Sequence, residues 1–240
     1  MKRVDKADDP QRRQLIEALG AGLFTAGLSV GNYAFAAKIF GDKPAKLPPG
    51  QSIYKLSGTT LINGKGATLE TSITPGNSIV TGKGGEIIFV VGDNAMFLRA
   101  DSELNLVPAA EDGSLLFVTI DLVKGSLLAV CGPGKREVHT QTANIVLMGT
   151  GFYAESDPEL TYFCTCYGTT LISAKDDPDS KKTVSATHHD EPVKIIAGAK
   201  NKGKSIFKAG FTHHTDPELC LIETLVGRTP PSPFKCPVKN

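Results

Sequence analysis

Short runs of apolar and β-branched residues, separated by glycine-containing turns, repeat along most of this chain. No helical pattern lies between them, so a parallel sheet built from βαβ units is not expected. Regular short strands with turn signals predict an all-β sandwich, roll or solenoid-like domain over residues 51–197. The clearest runs are Glu86–Val91, Leu115–Val118, Ser126–Val130, Ala143–Leu147, Thr161–Cys166, Thr169–Ser173, Thr183–Thr187 and Val193–Ile196.

One helix is predicted near the end of the chain, over residues 216–226, inside a C-terminal extension that covers 198–240. Thr215 and Glu218 have the spacing of a capping box, with Pro217 in the first turn. An apolar stripe at helical spacing follows, formed by Leu219, Ile222, Leu225 and Val226. We expect this helix to cover an open face or an end of the β domain.

The first 36 residues have the order of an export signal. Arg12 and Arg13 follow a charged start, an apolar stretch comes next, and a small-residue site ends at Ala36. Paired arginines are typical of the twin-arginine route. The alternative interpretation is an amphipathic structural helix. We therefore predict a signal helix over 1–36 and a proline-containing linker over 37–50.

The predicted signal also sets the compartment. We expect a periplasmic or secreted bacterial protein, which contacts the inner membrane only if the signal is retained as an anchor. The formal net charge of +1 gives no reason to expect a nucleic-acid partner. Five cysteines leave an odd number in an oxidising compartment. At least one must then be free, bound to a metal, or paired with another chain.

Cys164 and Cys166 form the most unusual stretch of the chain. Residues two apart on a strand face the same side, so both thiols are expected to point the same way. Their Cα atoms would be about 6.6 Å apart in an extended strand, which would strain a disulfide between them. Two thiolates on one face suit a soft metal ion instead, although they could also be buried as small apolar groups.

Two histidine pairs supply candidate partners for these thiols, His188–His189 and His213–His214. Neutral imidazoles together with thiolates would suit zinc or copper(I). Adjacent residues on a regular strand point to opposite faces, so at most one histidine of each pair would then be a ligand. The alternative is that the pairs are solvated.

Cys220 and Cys236 could form a disulfide that clips the C-terminal tail to the predicted helix. A disulfide that closes a loop of this length contributes about 3 kcal/mol of stability. A third possibility for the whole chain is therefore a stable scaffold whose cysteines only form disulfides. No nucleophile elbow, phosphate-binding loop or dinucleotide-binding fingerprint is present, so the sequence predicts a non-enzymatic protein.

Four segments in order resemble the FecR domain, a family named for regulators of iron-dicitrate signalling. They are Ser78–Gly82, Glu86–Asp93, Leu122–Val130 and Thr140–Phe152, within a likeness that covers about residues 50–197. The Cys-x-Cys stretch and the His-His pairs are similar to a secreted subgroup of FecR-domain proteins.

The resemblance implies an extracytoplasmic β module that binds another envelope protein or a small ligand in signalling. FecR regulators carry a cytoplasmic helical domain before their membrane segment, and here only 11 residues precede the twin arginines. We therefore expect no anti-sigma role inside the cell. The alternative function is a metal-binding or redox-active periplasmic protein that uses the cysteine and histidine cluster.

Overall fold

The computed structural model describes residues 45–108, 117–198 and 203–236. The predicted signal over 1–36, and the linker up to residue 44, lie outside these ranges. Within them, no helix has the length and apolar character that a membrane span requires.

Fourteen strands and one helix account for the regular structure of the described residues. The strands are β1 (Ile53–Ser57), β2 (Thr60–Ile62), β3 (Lys65–Gly66), β4 (Ser78–Thr81), β5 (Glu86–Val91), β6 (Asn94–Leu98), β7 (Glu103–Pro108), β8 (Phe117–Val130), β9 (Lys135–His139), β10 (Ala143–Ser156), β11 (Leu160–Ala174), β12 (Lys181–Ala186), β13 (Val193–Ile196) and β14 (Ile206–Lys208). The helix is α1 (Asp216–Leu225). The predicted all-β class with one short C-terminal helix is therefore confirmed.

The strands form one open sheet rather than a closed barrel. Its longest path runs β14-β13-β11-β10-β9-β8-β7-β4-β2-β3, while β5 and β6 join it through β8. Neighbouring strands are antiparallel except for β8 and β9. The last strand, β14, lies in the predicted C-terminal extension and pairs with β13, so the sheet continues beyond residue 197.

A long hairpin of β10 and β11 joins the two ends of the sheet. The sequence predicted two separate strands over 161–173, whereas the structure has one continuous strand, Leu160–Ala174. Gly168 lies inside it with a φ of +90°, next to the Gly151–Tyr167 pair, and the register between β10 and β11 shifts on both sides of that pair. A glycine that adopts a positive φ lets the strand bend without ending.

The middle of the sheet is buried on both faces. Alternate residues of β5, β6, β8, β10 and β11 belong to a large core inside the folded sheet or to a second apolar cluster on its outer side. On β11, for example, Phe163 faces the large core, whereas Tyr162, Cys164 and Cys166 face the outer cluster. The two-residue period of a strand therefore sends both thiols to the outer face.

Helix α1 covers this outer cluster, as the sequence predicted. Leu219, Ile222 and Leu225 are buried in it. At the start of the helix, the backbone N–H of Thr215 donates to Glu218, and Arg99 forms an ion pair with the same carboxylate at 2.9 Å. At its other end, the N–H of Leu47 donates to the carbonyl of Leu225 at 2.9 Å, which fastens the start of the described chain to the helix.

Candidate metal centre

Four side chains meet beneath the start of α1: Cys164, Cys166, His189 and His214. One potential ligand atom from each lies within 4.8 Å of the other three, and all four residues are buried. The two thiols are free cysteines, as is Cys131, which lies apart from the cluster. The cluster joins three separate parts of the chain around the outer face of the sheet.

The bend after β12 brings His189 to the thiols. Its backbone N–H donates to the carbonyl of Cys166 at 2.9 Å, so the bend continues alongside β11. The carboxylate of Asp190 accepts hydrogen bonds from Thr187 and from the N–H of His188, which fixes the turn. These bonds, with the backbone bond from Thr187 first, lower the pKa of Asp190. His189 itself has a φ of +56°, an uncommon value for a residue other than glycine.

The loop before α1 supplies His214. Its ring stacks on Tyr153 at a centroid distance of 4.6 Å. The preceding residue, His213, has a φ of +64° and turns away from the thiols. Its Nδ1 contacts Glu155 at 2.5 Å, and 62% of its side chain is exposed. The left-handed backbone at His189 and His213 therefore decides which ring of each pair faces the cluster.

The distances inside the cluster are short and consistent. Cys164 Sγ lies 3.5 Å from His189 Nδ1, and Cys166 Sγ lies 3.5 Å from His214 Nε2. The two imidazole nitrogens are 3.2 Å apart. Two of the six residues predicted as ligands, His188 and His213, are placed outside this set of four.

The outer nitrogen of each imidazole in the cluster, the one that points away from the thiols, lies within hydrogen-bond distance of an acceptor oxygen. His214 Nδ1 lies 2.8 Å from the carbonyl oxygen of Thr212, and His189 Nε2 lies 3.1 Å from a carboxylate oxygen of Asp216. A carbonyl can only accept, so the proton of His214 resides on Nδ1. The carboxylate likewise holds the proton of His189 on Nε2.

The remaining nitrogens, His189 Nδ1 and His214 Nε2, then face each other with their lone pairs. These nitrogens lie 3.2 Å apart, and each has a thiol sulfur 3.5 Å away. Each nitrogen can therefore accept a proton from its thiol or, when the thiols are deprotonated, bind a shared cation.

The thiols themselves are electrostatically coupled. A hydrogen bond from Cys166 lowers the pKa of the Cys164 thiol, against its burial, and contacts with His189 and His214 act in the same direction. Burial raises the pKa of Cys166. The first proton to leave the pair therefore leaves a thiolate at Cys164.

Asp216 organises the outer side of the cluster and was missed as a site residue in the sequence, where it was assigned only to the helix start. Its carboxylate accepts from His188 Nε2 at 3.0 Å as well as from His189. Burial alone would raise the pKa of Asp216, but hydrogen bonds from the backbone of Lys235 and from His188 outweigh it and lower the pKa. The sequence signal that could have identified Asp216 as a site residue was its position two residues after His214.

The predicted disulfide between Cys220 and Cys236 is present, with a Cα–Cα distance of 5.5 Å. It joins α1 to the end of the described chain. It also brings Phe234 against the rings of His188 and His189, at 4.7 and 5.2 Å between centroids.

Comparison with known proteins yields only distant structural likeness. No protein-family model matches the chain, so the FecR resemblance gains no support from that comparison. No curated protein matches it either. Two solved structures from Parabacteroides distasonis ATCC 8503, each described as a "putative anti-sigma factor", align with part of the chain.

The extent of these alignments is modest. The first covers 55% of this chain and 59% of the other, with 14% identity and a TM-score of 0.43. The second covers 62% and 73%, with 15% identity and the same TM-score. This chain thus spans less than two thirds of the first structure. The likeness at these values adds no argument about function.

Proposed function

We propose that this chain is an exported, non-enzymatic β module in which a zinc ion, bound by Cys164, Cys166, His189 and His214, fastens the C-terminal helix to the sheet. The observation that carries this proposal is the convergence of two thiol sulfurs and two imidazole nitrogens within 4.8 Å of one another, with the nitrogens 3.2 Å apart. One metal cation could bind all four of these ligand atoms.

The measured spacing suits zinc. In a tetrahedral site, bonds of about 2.3 Å to sulfur and about 2.0 Å to nitrogen separate sulfur from nitrogen by about 3.5 Å and nitrogen from nitrogen by about 3.3 Å. The corresponding distances here are 3.5, 3.5 and 3.2 Å. Hydrogen bonds that orient a histidine from behind are also typical of zinc ligands. Asp216 and the carbonyl of Thr212 supply them.

The arrangement supports a structural role rather than a catalytic one. Four protein ligands complete a tetrahedral shell, so no position is left for water or a substrate. The ligands come from β11, the bend after β12 and the loop before α1, and a shared ion would tie these three segments together.

Metal analysis of the full chain, purified after export, tests the proposal. We expect one zinc ion per chain, and cobalt(II) substitution should give the absorption of a tetrahedral thiolate site. Cys164→Ser and His214→Ala should each lose the ion. Cys131→Ser is the matched control, because Cys131 is also a buried free cysteine but lies outside the cluster.

Folded wild-type protein without any metal would refute this function and would leave a redox-active pair of free thiols as the alternative. Copper found in place of zinc would confirm a metal site at these four residues but would show that zinc is the wrong ion.

A second proposal concerns the role of the whole module, which is to bind another envelope protein or a small ligand in signalling. It rests on the four FecR-like segments. In the fold they fall on β4, β5, β8 and β10 and contribute core residues such as Ile79, Ile87 and Phe152. These four segments mainly build the core of the β domain. We therefore expect the surface that contacts a partner to be formed largely by other residues.

Site-specific photo-crosslinking in the envelope tests this role. A crosslinker placed at exposed positions such as Phe207 should give a defined adduct, whereas one placed at a position within the core should give none. The absence of any adduct from a set of exposed positions would contradict the proposal.

A further inference from the structure

The end of the described chain returns to the start of α1. Beyond Pro230, residues 231–236, here called the distal tail, run back along the helix until Cys236 meets Cys220 in the disulfide. There the backbone N–H of Lys235 donates to a carboxylate oxygen of Asp216 at 3.1 Å. The same carboxylate holds His189 through its other oxygen.

The distal tail also covers the histidine layer. The ring of Phe234 lies edge-on to Tyr167 at 5.8 Å and to both His188 and His189. Phe234 therefore shields the hydrogen bond between Asp216 and His189 from water. Shielding from water strengthens such a bond, because the local dielectric constant falls.

Among the described residues, the distal tail is held by the disulfide, by the ring contacts of Phe234 and by the hydrogen bond from Lys235 to Asp216. Residues 231–233 and Lys235 are exposed, and Phe234 is half-buried. The remaining backbone hydrogen bonds of the segment are local, from Phe234 to Pro231 and from Cys236 to Phe234. The disulfide is thus the covalent tether that keeps Phe234 and Lys235 against the outer side of the cluster.

We propose that the Cys220–Cys236 disulfide is a redox-controlled latch on the metal centre, an inference that rests on the proposed zinc site. A dithiol reductant breaks one S–S bond, leaves two thiols on the protein and becomes a disulfide itself. The distal tail then leaves, Asp216 loses the Lys235 donor, and water reaches the bond that orients His189. The zinc ion is held less tightly as a result.

The expected size of the effect follows from the position of Asp216. Loss of a group that orients a metal ligand typically weakens metal binding about 10-fold to 100-fold. Reduction removes only the Lys235 donor and the Phe234 cover while Asp216 stays, so we expect an effect no larger than the lower end of this range. The ligands themselves stay in place, so reduction should accelerate release without abolishing binding. The latch would retain metal in an oxidising compartment and release it to an acceptor in a reducing one.

Zinc transfer from the loaded full chain to a chromogenic chelator tests the latch. The doubly substituted Cys220→Ser/Cys236→Ser protein should release zinc faster than the oxidised wild type, by up to about 10-fold. A phosphine reductant, which is oxidised to the phosphine oxide as water supplies the oxygen, should speed up the wild type to the same rate. It should leave the double variant unchanged.

Phe234→Ala provides an independent readout, because it removes the cover but keeps the disulfide, and it should release zinc at an intermediate rate. Phe207→Ala is the matched control, since Phe207 is a half-exposed phenylalanine on β14 and has no ring contact with the histidines. Zinc stoichiometry and β-sheet circular dichroism are measured for every variant.

The outcomes separate the two proposals. One zinc ion per chain with equal release rates in the oxidised, reduced and doubly substituted proteins would overturn the latch and leave the metal site standing. No zinc in the oxidised wild type would overturn the metal site and the latch together.

Discussion

At the scale of single residues, the cluster depends on which atoms carry protons. Thr212 and Asp216 fix the protons of the two imidazoles on their outer nitrogens, and the inner nitrogens keep their lone pairs toward the thiols. With the opposite tautomers, the inner nitrogens would carry protons and could not bind a cation. Residues that never touch the ion therefore determine whether a metal can bind.

Asp216→Asn tests this dependence directly. The amide is a weaker acceptor than the carboxylate and cannot satisfy His188, His189 and Lys235 together, so zinc affinity should fall about 10-fold to 100-fold. Competition with a chelator of known affinity measures the change. Asp176→Asn, at an exposed position, is the control. Equal affinity in the Asp216 variant would show that the carboxylate has no orienting role.

A buried carboxylate, Asp177, gives a pH prediction away from the cluster. Hydrogen bonds from the backbone of Gly203 and from the hydroxyls of Ser180 and Ser205 lower its pKa from 3.8 to about 2. A lowered pKa in the folded state means that this carboxylate contributes stability above pH 3.8, which is lost as the pH falls towards 2.

Asp177→Asn should therefore reduce stability at neutral pH and flatten its decline between about pH 4 and 2. Urea unfolding at a series of pH values measures this profile. Asp179→Asn is the matched exposed control. A variant with an acid profile as steep as that of the wild type would contradict the assignment.

The residue scale also shows how far the sequence could lead. The period of a strand was enough to place Cys164 and Cys166 on one face, and the same rule limited each histidine pair to one ligand. The choice of His189 and His214 over their neighbours depends on left-handed backbone at His189 and His213. That conformation is uncommon for residues other than glycine, and no sequence pattern shows which histidine of a pair adopts it.

At the scale of elements, strand bends set the geometry. Gly125 in β8 has a φ of +86°, and a side chain there would meet the backbone of Ser102 at 2.6 Å. Gly149 in β10 has a φ of +60° but faces open space. The positive φ values show that both positions use the conformational freedom of glycine.

These two glycines form a matched pair for mutation. Gly149→Ala adds only backbone strain, about 1–2 kcal/mol. Gly125→Ala adds the same strain and also a clash with Ser102, which costs about 1–3 kcal/mol more. Urea denaturation midpoints should therefore fall more for Gly125→Ala. Equal losses would mean that β8 moves away from Ser102 without cost.

Strand existence and helix position were predictable from local patterns, whereas strand pairing was not. The apolar stripe and capping pattern predicted a helix over 216–226, and α1 spans Asp216–Leu225. Nothing local indicates that β8 and β9 run parallel or that β14 extends the sheet. Such pairings depend on which distant faces bury one another, and that is decided by the whole chain.

At the scale of the whole molecule, the proposed ion and the disulfide hold the C-terminal region on a sheet that has its own core. The large core lies among the strands and contains no residue of α1. Chelation and reduction together should therefore loosen α1 while the sheet persists.

Hydrogen exchange measures this difference between regions. After treatment with chelator and reductant, amides of 216–225 should exchange faster, whereas those of 143–156 in β10 should change little. Untreated protein and protein treated with chelator alone are the controls. Equal acceleration in β10 would show that the sheet depends on the ion.

The predicted export signal leads to a separate test. Replacement of Arg12 and Arg13 by lysines should stop export through the twin-arginine route, because this route recognises the arginine pair. Fractionation of cells followed by immunoblotting measures the change. Arg3→Lys, which keeps the pair, is the control. Normal export of the doubly substituted protein would contradict this interpretation of the segment.

The attachment of both described ends to one helix has a mechanical consequence. Leu47 forms a backbone hydrogen bond to Leu225 at the end of α1, and Cys236 forms a disulfide with Cys220 in the middle of the helix. A pulling force applied across the two ends would load α1 before it loaded any strand of the sheet. Under tension, the single hydrogen bond at Leu225 would yield first, and the covalently joined end would keep its hold on the helix.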